Sequence, residues 1–166
     1  MHSQDHLEVD VLVVGAGPAG LTAAAMLGRF GINCLVVERR AELSGLPRAT
    51  GVSTRSMEIF RSLGLEDEIL AGGVDVDMRM LSTRTLAEAA DGVAVPTGFP
   101  SREQAGVISP AFPACVPQDH LEPVLLDHVR SLGVRAELGL ELVAVEQVAR
   151  DRVEEPVARS EDQIDG

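Results

Sequence analysis

The clearest chemistry in the sequence lies in its first forty residues. Gly15, Gly17 and Gly20 stand at G-x-G-x-x-G spacing in the run GAGPAG, and Glu38 follows them. That pattern suits a dinucleotide. Gly15 can make a tight turn, Gly17 can let backbone approach a pyrophosphate, and Gly20 can let a helix pack closely on a strand. An acid about 20 residues further on accepts hydrogen bonds from ribose hydroxyls. A carboxylate there disfavours a 2′-phosphate, so these residues predict FAD or NAD and not NADP. A parallel sheet with a glycine turn and no ligand would need the glycines but not the acid.

The elements that must hold these residues are legible around them. Val9–Val14 is a short β-branched apolar run, as expected of a strand buried on both faces. Pro18–Phe30 has a helical pattern with small residues Ala23, Ala24 and Ala25, Arg29 in its last turn and Gly31 as a cap. Asn33–Glu38 is a second apolar strand. Strand, helix and strand form a unit long enough for a parallel crossover. The helix N-terminus between them offers free N–H groups and partial positive charge to phosphates.

Further along, Ser53 or Thr54 can cap a helix running to Leu63, with Met57, Phe60 and Leu63 on one face and Gly64 as its stop. Leu65–Ala71 reads as a short helix and Val76–Thr85 as a strand. From Leu86 to Pro117 the pattern is weak and predicts loops with short strands. Asp119 and Glu122 suggest a capping box for a helix. Leu121, Val124, Leu125, His128 and Leu132 share a face of that helix, Pro123 lies in its first turn, and Gly133 ends it. Val134–Leu138 and Leu142–Val148 read as strands. The tails, residues 1–8 and those after Arg150, carry no apolar pattern.

Composition narrows the function classes. The net charge is -12, which repels nucleic acid and anionic membranes. The uncharged run Val11–Gly28 is interrupted by Gly15, Gly17, Pro18 and Gly20 and is preceded by acidic residues, unlike a signal peptide or a membrane span. A cytoplasmic protein is expected. Cys34 and Cys115 match no metal or redox spacing and read as idle thiols. With no Trp, no Tyr and four Phe, the core must be aliphatic.

Two longer runs decide between the dinucleotides. ERRAELSGLPRATGVSTRSMEIFRSLGL and FPACVPQDHLEPVLLDHVRSLGVRAELGLELVAVEQ resemble the flavin-dependent aromatic hydroxylases, the group of para-hydroxybenzoate, phenol and polyketide ring hydroxylases. The resemblance runs from Val9 to about Val148, with the motifs in the family's order. It implies a Rossmann-like α/β FAD-binding domain over residues 1–150. That domain would have a mostly parallel sheet, part of a substrate-side sheet at about 76–117, and an irregular acidic tail at 151–166. Gly15, Gly17, Pro18, Ala19 and Gly20 would hold the FAD pyrophosphate. Glu38 would bind the adenosine ribose with Arg39 flanking it. Arg48 would reach the flavin's phosphate region and affect NADPH use. Gln118 would contact the cofactor from its helix, and Leu142 would pass its backbone near the adenine.

Taken alone, Arg48 reads as a solvated loop arginine and Gln118 as a surface residue at a helix start. Arg55 and Glu58 read as a helix-face ion pair, and His120 and His128 receive no role. The implied reaction is monooxygenation: NADPH or NADH reduces the flavin, and one oxygen atom of O₂ enters an electron-rich aromatic ring. No side chain is assigned as catalytic acid or base, and no metal is expected. The family's later Asp-Gly and Gly-Asp motifs are not found, and Asp165-Gly166 lacks the strand context to be the former. A fragment or a catalytically silent FAD-binding remnant, with a possible complementing C-terminal chain, is therefore expected beside the hydroxylase reading. A related reductase or halogenase is the third alternative.

Overall fold

The computed structural model describes residues 7–74, 80–96 and 102–146. Three parallel strands carry the fold: β1 (Val11–Val14), β2 (Cys34–Glu38) and β7 (Arg135–Leu138), in the order β1-β2-β7. Val11 pairs with Cys34 and Val14 with Val37, while Leu35 pairs with Arg135 and Glu38 with Leu138. The central strand β2 is buried along its whole length, as a run of Cys, Leu and Val on a covered parallel sheet should be. Burial on both faces, expected of the first strand as well, does not extend to β1: it lies at the sheet edge, and its outward residues Leu12 and Val14 stay exposed.

Helix α1 (Pro18–Arg29) connects β1 to β2. Pro18 occupies its first position, where the missing N–H costs nothing. Gly31, with φ +72°, turns the chain out of it. Leu21, Ala24 and Ala25 are fully buried, but Ala23 faces outward, so the small-residue run packs through only part of its length. Helix α5 (Gln118–Ser131) packs against α1 and leads into β7, burying Leu121, Val124, Leu125, Leu126 and Val129. Val36 joins Leu21, Leu125 and Val129 in one core with Met57 and Ile69.

Between β2 and β7 the chain makes smaller elements. Strand β3 (Gly51–Val52) pairs antiparallel with β6 (Ala114–Cys115). Helix α2 (Thr54–Ser62) is capped by Ser53, whose hydroxyl accepts from the Ser56 N–H at 3.2 Å. Its Arg55 and Glu58 form the expected ion pair at 2.8 Å. Helix α3 (Glu66–Ala71) follows. Strands β4 (Met80–Ser82) and β5 (Val93–Val95) pair antiparallel around a 3₁₀ turn at Leu86–Asp91.

Four further expectations change. The strand read over Val76–Thr85 is confined to Met80–Ser82 among the described residues; 75–79 lie outside them. Helix α4 (Arg102–Ile108) stands where only loops and short strands were expected. No strand forms over 141–146: Leu142, Val143 and Val145 are exposed and have no strand partner among the described residues. Apolar alternation alone does not make a strand without a neighbour to pair with. The capping box is absent as well. Pro117 is the N-cap of α5, Asp119 lies inside the first turn with Oδ1 buried and unpartnered, and Glu122 turns toward Gln118 instead. The acidic tail after Arg150 lies outside the described residues.

Candidate cofactor site

The glycine turn does what its spacing requires. Gly15 takes φ +104°, a left-handed conformation that suits glycine, and its N–H donates to Val37 O at 2.7 Å. This ties the turn to the end of β2. A side chain at Gly20 would place its Cβ 2.0 Å from the Gly15 carbonyl oxygen, so only glycine lets α1 sit this close to the turn. At Gly17 a Cβ would meet nothing nearer than Glu122 Oε1 at 3.9 Å, and the ground before the helix is open. The first helical acceptor is Gly17 O, taken by the Leu21 N–H at 2.9 Å. Helix geometry therefore leaves the Gly17, Ala19 and Gly20 N–H groups without helical partners, and Pro18 has none to offer. That donor set, at the positive end of α1, fits a pyrophosphate.

Glu38 ends β2 and is buried. Its Oε1 accepts from the Arg40 backbone N–H at 3.0 Å and from Arg40 Nε at 3.3 Å, and its Oε2 accepts from the Ala16 N–H at 3.1 Å. The Arg40 backbone N–H, then the Ala16 N–H, then the Arg40 guanidinium hold this carboxyl below the usual carboxylate range, against the opposing effect of burial. The acid therefore also braces the glycine turn, since Ala16 lies inside GAGPAG.

Two cavities flank that turn. One, of about 320 Å³, is lined by Gly15, Glu38, Arg39, Arg40 and Leu142 among others. Leu142 reaches it without being in a strand, because the Gly139 N–H donates to Arg40 O and the Leu140 N–H to Glu38 O, drawing the chain across the end of β2. The other, of about 400 Å³, lies on the α1 side, where Pro18, Ala19 and Gln118 meet Ser56, Ile59 and Phe60. Most of its wall is apolar.

Of the residues singled out from the sequence, Gly15, Glu38, Arg39 and Leu142 thus gather at one cavity, and Pro18, Ala19 and Gln118 at the other. Arg48 lines neither. It is exposed, with no hydrogen-bond or ion-pair partner among the described residues, next to Ala49 at the rim of the larger cavity. His120 binds Glu68 O through Nε2 at 3.0 Å and belongs to the α3–α5 packing. Sequence reasoning missed Arg40 and Glu122. Arg40 was hidden in a run of two arginines, and Glu122 was taken for a cap. Among the described residues no group of His, Cys, Asp and Glu could hold a metal ion, and no helix is long and apolar enough to cross a membrane.

Known proteins are similar to this chain over most of its length. The chain is 39% identical over 155 residues to aklavinone 12-hydroxylase RdmE of Streptomyces purpurascens, covering 86% of this chain and 27% of that protein. It is 31% identical over 144 residues to phenol 2-monooxygenase of Pseudomonas sp. (strain EST1001), covering 83% of this chain and 23% of the relative. Among solved structures, aklavinone-11 hydroxylase in complex with FAD and aklavinone superposes with a TM-score of 0.70 at 35% identity, over 88% of this chain and 28% of the other. The flavin-dependent monooxygenase PieE, in complex with FAD and substrate, gives 0.72 at 34% identity, over 86% and 25%. The chain thus spans about a quarter of the length of the relatives it matches. The FAD binding domain model matches residues 8–164, and the chain belongs to that family.

Proposed function

We propose that this chain is the FAD-binding part of an NAD(P)H-dependent flavoprotein monooxygenase that hydroxylates an aromatic ring, phenolic or polyketide. The observation that carries the reading is the pair of cavities on either side of one glycine turn. A dinucleotide needs two compartments joined across a phosphate-binding point. The smaller cavity suits an adenosine, with Glu38 toward the ribose, Arg39 at its flank and the Leu142 backbone near the base. The N–H groups of Gly17, Ala19 and Gly20 suit the pyrophosphate. The larger cavity suits the flavin end, with Gln118 as a polar contact and Ile59 and Phe60 excluding water. Arg48, on the rim-side loop, would offer its guanidinium to phosphate.

Bound FAD would supply the electron transfer and oxygen insertion; the chain's residues bind, orient and shield it. NADPH or NADH serves as co-substrate. Glu38 disfavours a 2′-phosphate at the adenosine position, so the nicotinamide nucleotide would act from elsewhere. The names of the relatives support a small aromatic substrate. Its pocket would be completed by regions those proteins carry beyond the matched quarter, in the same polypeptide or in a complementing chain. In this reading residues 1–150 serve the cofactor, with about 76–117 toward the substrate and 151–166 as an acidic tail. A cytoplasmic location, with neither nucleic acid nor membrane as partner, agrees with the net charge of -12.

The test is a titration with FAD, NAD and NADP. FAD should bind tightest, and its absorbance is easily read in a chain without Trp or Tyr. Binding of NADP as tight as FAD would remove Glu38 from the ribose position and the hydroxylase reading with it.

A further inference from the structure

Glu122 is 2% exposed, although it is an acid on α5 with no arginine or lysine paired to it among the described residues. A buried carboxylate with one polar neighbour is costly unless that neighbour is well placed. Its neighbour is Gln118, one helical turn earlier, whose Nε2 donates to Glu122 Oε1 at 2.5 Å. The same Oε1 lies 3.9 Å from where a Cβ on Gly17 would be, so the pair sits under the N-terminus of α1. Gln118 itself lines the larger cavity beside Pro18 and Ala19.

We propose that Glu122 is a positioning residue that fixes the orientation of the Gln118 side-chain amide at the mouth of the cofactor cavity. Glu122 Oε1 accepts from Gln118 Nε2, so the acid takes the NH₂ end of the amide. The carbonyl Oε1 of Gln118 and its second N–H stay uncommitted and face a ligand in a fixed sense. Without Glu122 the amide could flip or swing, and its contact with a ligand would be averaged over both ends. This inference rests on the assignment of the cavity to FAD, but its structural half can be read without any ligand.

The experiment compares Glu122→Gln, Glu122→Met, Gln118→Ala and the double variant Glu122→Met/Gln118→Ala in the full chain. Glu122→Gln offers Gln118 either a carbonyl or an NH₂ and so relaxes the sense of the amide, whereas Glu122→Met fills the same space with no partner at all. The Gln118 side-chain amide resonances, followed by NMR without cofactor, should move in Glu122→Met and move less in Glu122→Gln. With FAD, Glu122→Met should bind about tenfold more weakly, and Glu122→Gln should fall between it and the parent. The double variant should bind no more weakly than Gln118→Ala alone, since the two residues act as one. Should Glu122→Met fail to fold, Glu122→Asp, which withdraws the acceptor by one methylene, takes its place in both measurements. Unmoved amide resonances in the acceptor-less variant would overturn the proposal, and so would additive losses in the double variant. A parent chain that binds no FAD would instead sink the cofactor reading, leaving the amide measurement to decide the role of Glu122.

Discussion

The β1–α1–β2 unit and the β4–β5 hairpin are built from similar residues and end up differently. Both are rich in Val, Leu and Ala. In the first, Val36, Leu21, Ala24 and Ala25 are fully buried, and α5 and β7 close over them. In the second, Met80, Leu81 and Val93 remain exposed, Val93 by 71%. The difference lies in what each pairs with. The parallel unit is made by crossovers that lay helices on the sheet, so β2 and the inner face of β1 are covered as they form. The hairpin is closed by its own 3₁₀ turn and pairs only with itself among the described residues. Two strands alone bury too little to be stable independently. Stability and cofactor binding should therefore concentrate in the first region, and substitutions should rank accordingly.

The largest effect is expected at Gly20. Its missing side chain is what lets α1 approach to where a Cβ would stand 2.0 Å from the Gly15 carbonyl oxygen. Backbone on both sides of the clash cannot yield as a flexible side chain would. Gly20→Ala should destabilise the fold by about 3 kcal/mol or more, the upper end for overpacking. Denaturant unfolding reads it, and a loss under about 0.5 kcal/mol would place α1 further from the turn and weaken the contrast between the regions.

Next in size is Arg48, which distinguishes the cofactor flank from the folding core. The side chain is exposed, so Arg48→Ala should leave the melting temperature of the chain unchanged. If its guanidinium reaches phosphate, FAD affinity should fall by about 1.5–3 kcal/mol, the range for a hydrogen bond to a charged group. Arg48→Lys should restore only part, because the planar fork is lost. Unaltered FAD affinity in Arg48→Ala would return the residue to solvent.

What the sequence made legible follows the same division. The strand–turn–helix–strand unit and the Gly15–Glu38 pattern could be read because period, turn chemistry and spacing agree with each other locally. Helix α5 was legible from Leu121, Val124 and Leu125 at helical spacing. Helix α4 was not: REQAGVI holds a glycine and no amphipathic face, and Val107 and Ile108 are exposed. The strand expected at Leu142–Val148 does not form over its described residues, 142–146, for another reason, since pairing depends on a neighbour distant in the chain. In the site, Arg40 and Glu122 were hidden because their roles come from what they touch. Glu122 meets Gln118 within α5, but it comes beneath the start of α1 only after these two helices, far apart in the chain, have packed.

A smaller effect separates Glu38 from acids outside the turn. Its carboxyl is held below the usual carboxylate value by the Arg40 and Ala16 N–H groups. The unfolded chain therefore binds the proton first as pH falls. The stabilisation is fully present above the unfolded value, about 4.3 for a glutamate, and is lost as pH drops through the folded value. Glu38→Gln should flatten the acid limb of a stability–pH profile. Glu58 is also held low, chiefly by Arg55 and then by Ser109, but on the surface of α2. Glu58→Gln should flatten the same limb less, since exposed pairs are worth little. Equal changes from the two variants would show that Glu38 braces nothing in particular.

The smallest effect is expected in the hairpin, and it bears most directly on the comparison. Val93 sits in β5, opposite Ser82 of β4, and is 71% exposed. Val93→Thr keeps the β-branched shape and strand preference and exchanges one methyl for a hydroxyl. Little apolar surface leaves water at this position on folding, so little can be lost. The change should lie within ±0.5 kcal/mol, as for surface substitutions away from special features. Leu81→Thr, on the facing strand and 42% exposed, should cost somewhat more, because more of its side chain is covered. Both are read by denaturant unfolding of the chain, with Val36→Thr as the buried control. Val36 is fully buried at the centre of β2, where a hydroxyl would have to be taken out of water. A loss at Val93 approaching that at Val36 would mean that the hairpin face is covered in solution by a surface this fold does not itself provide.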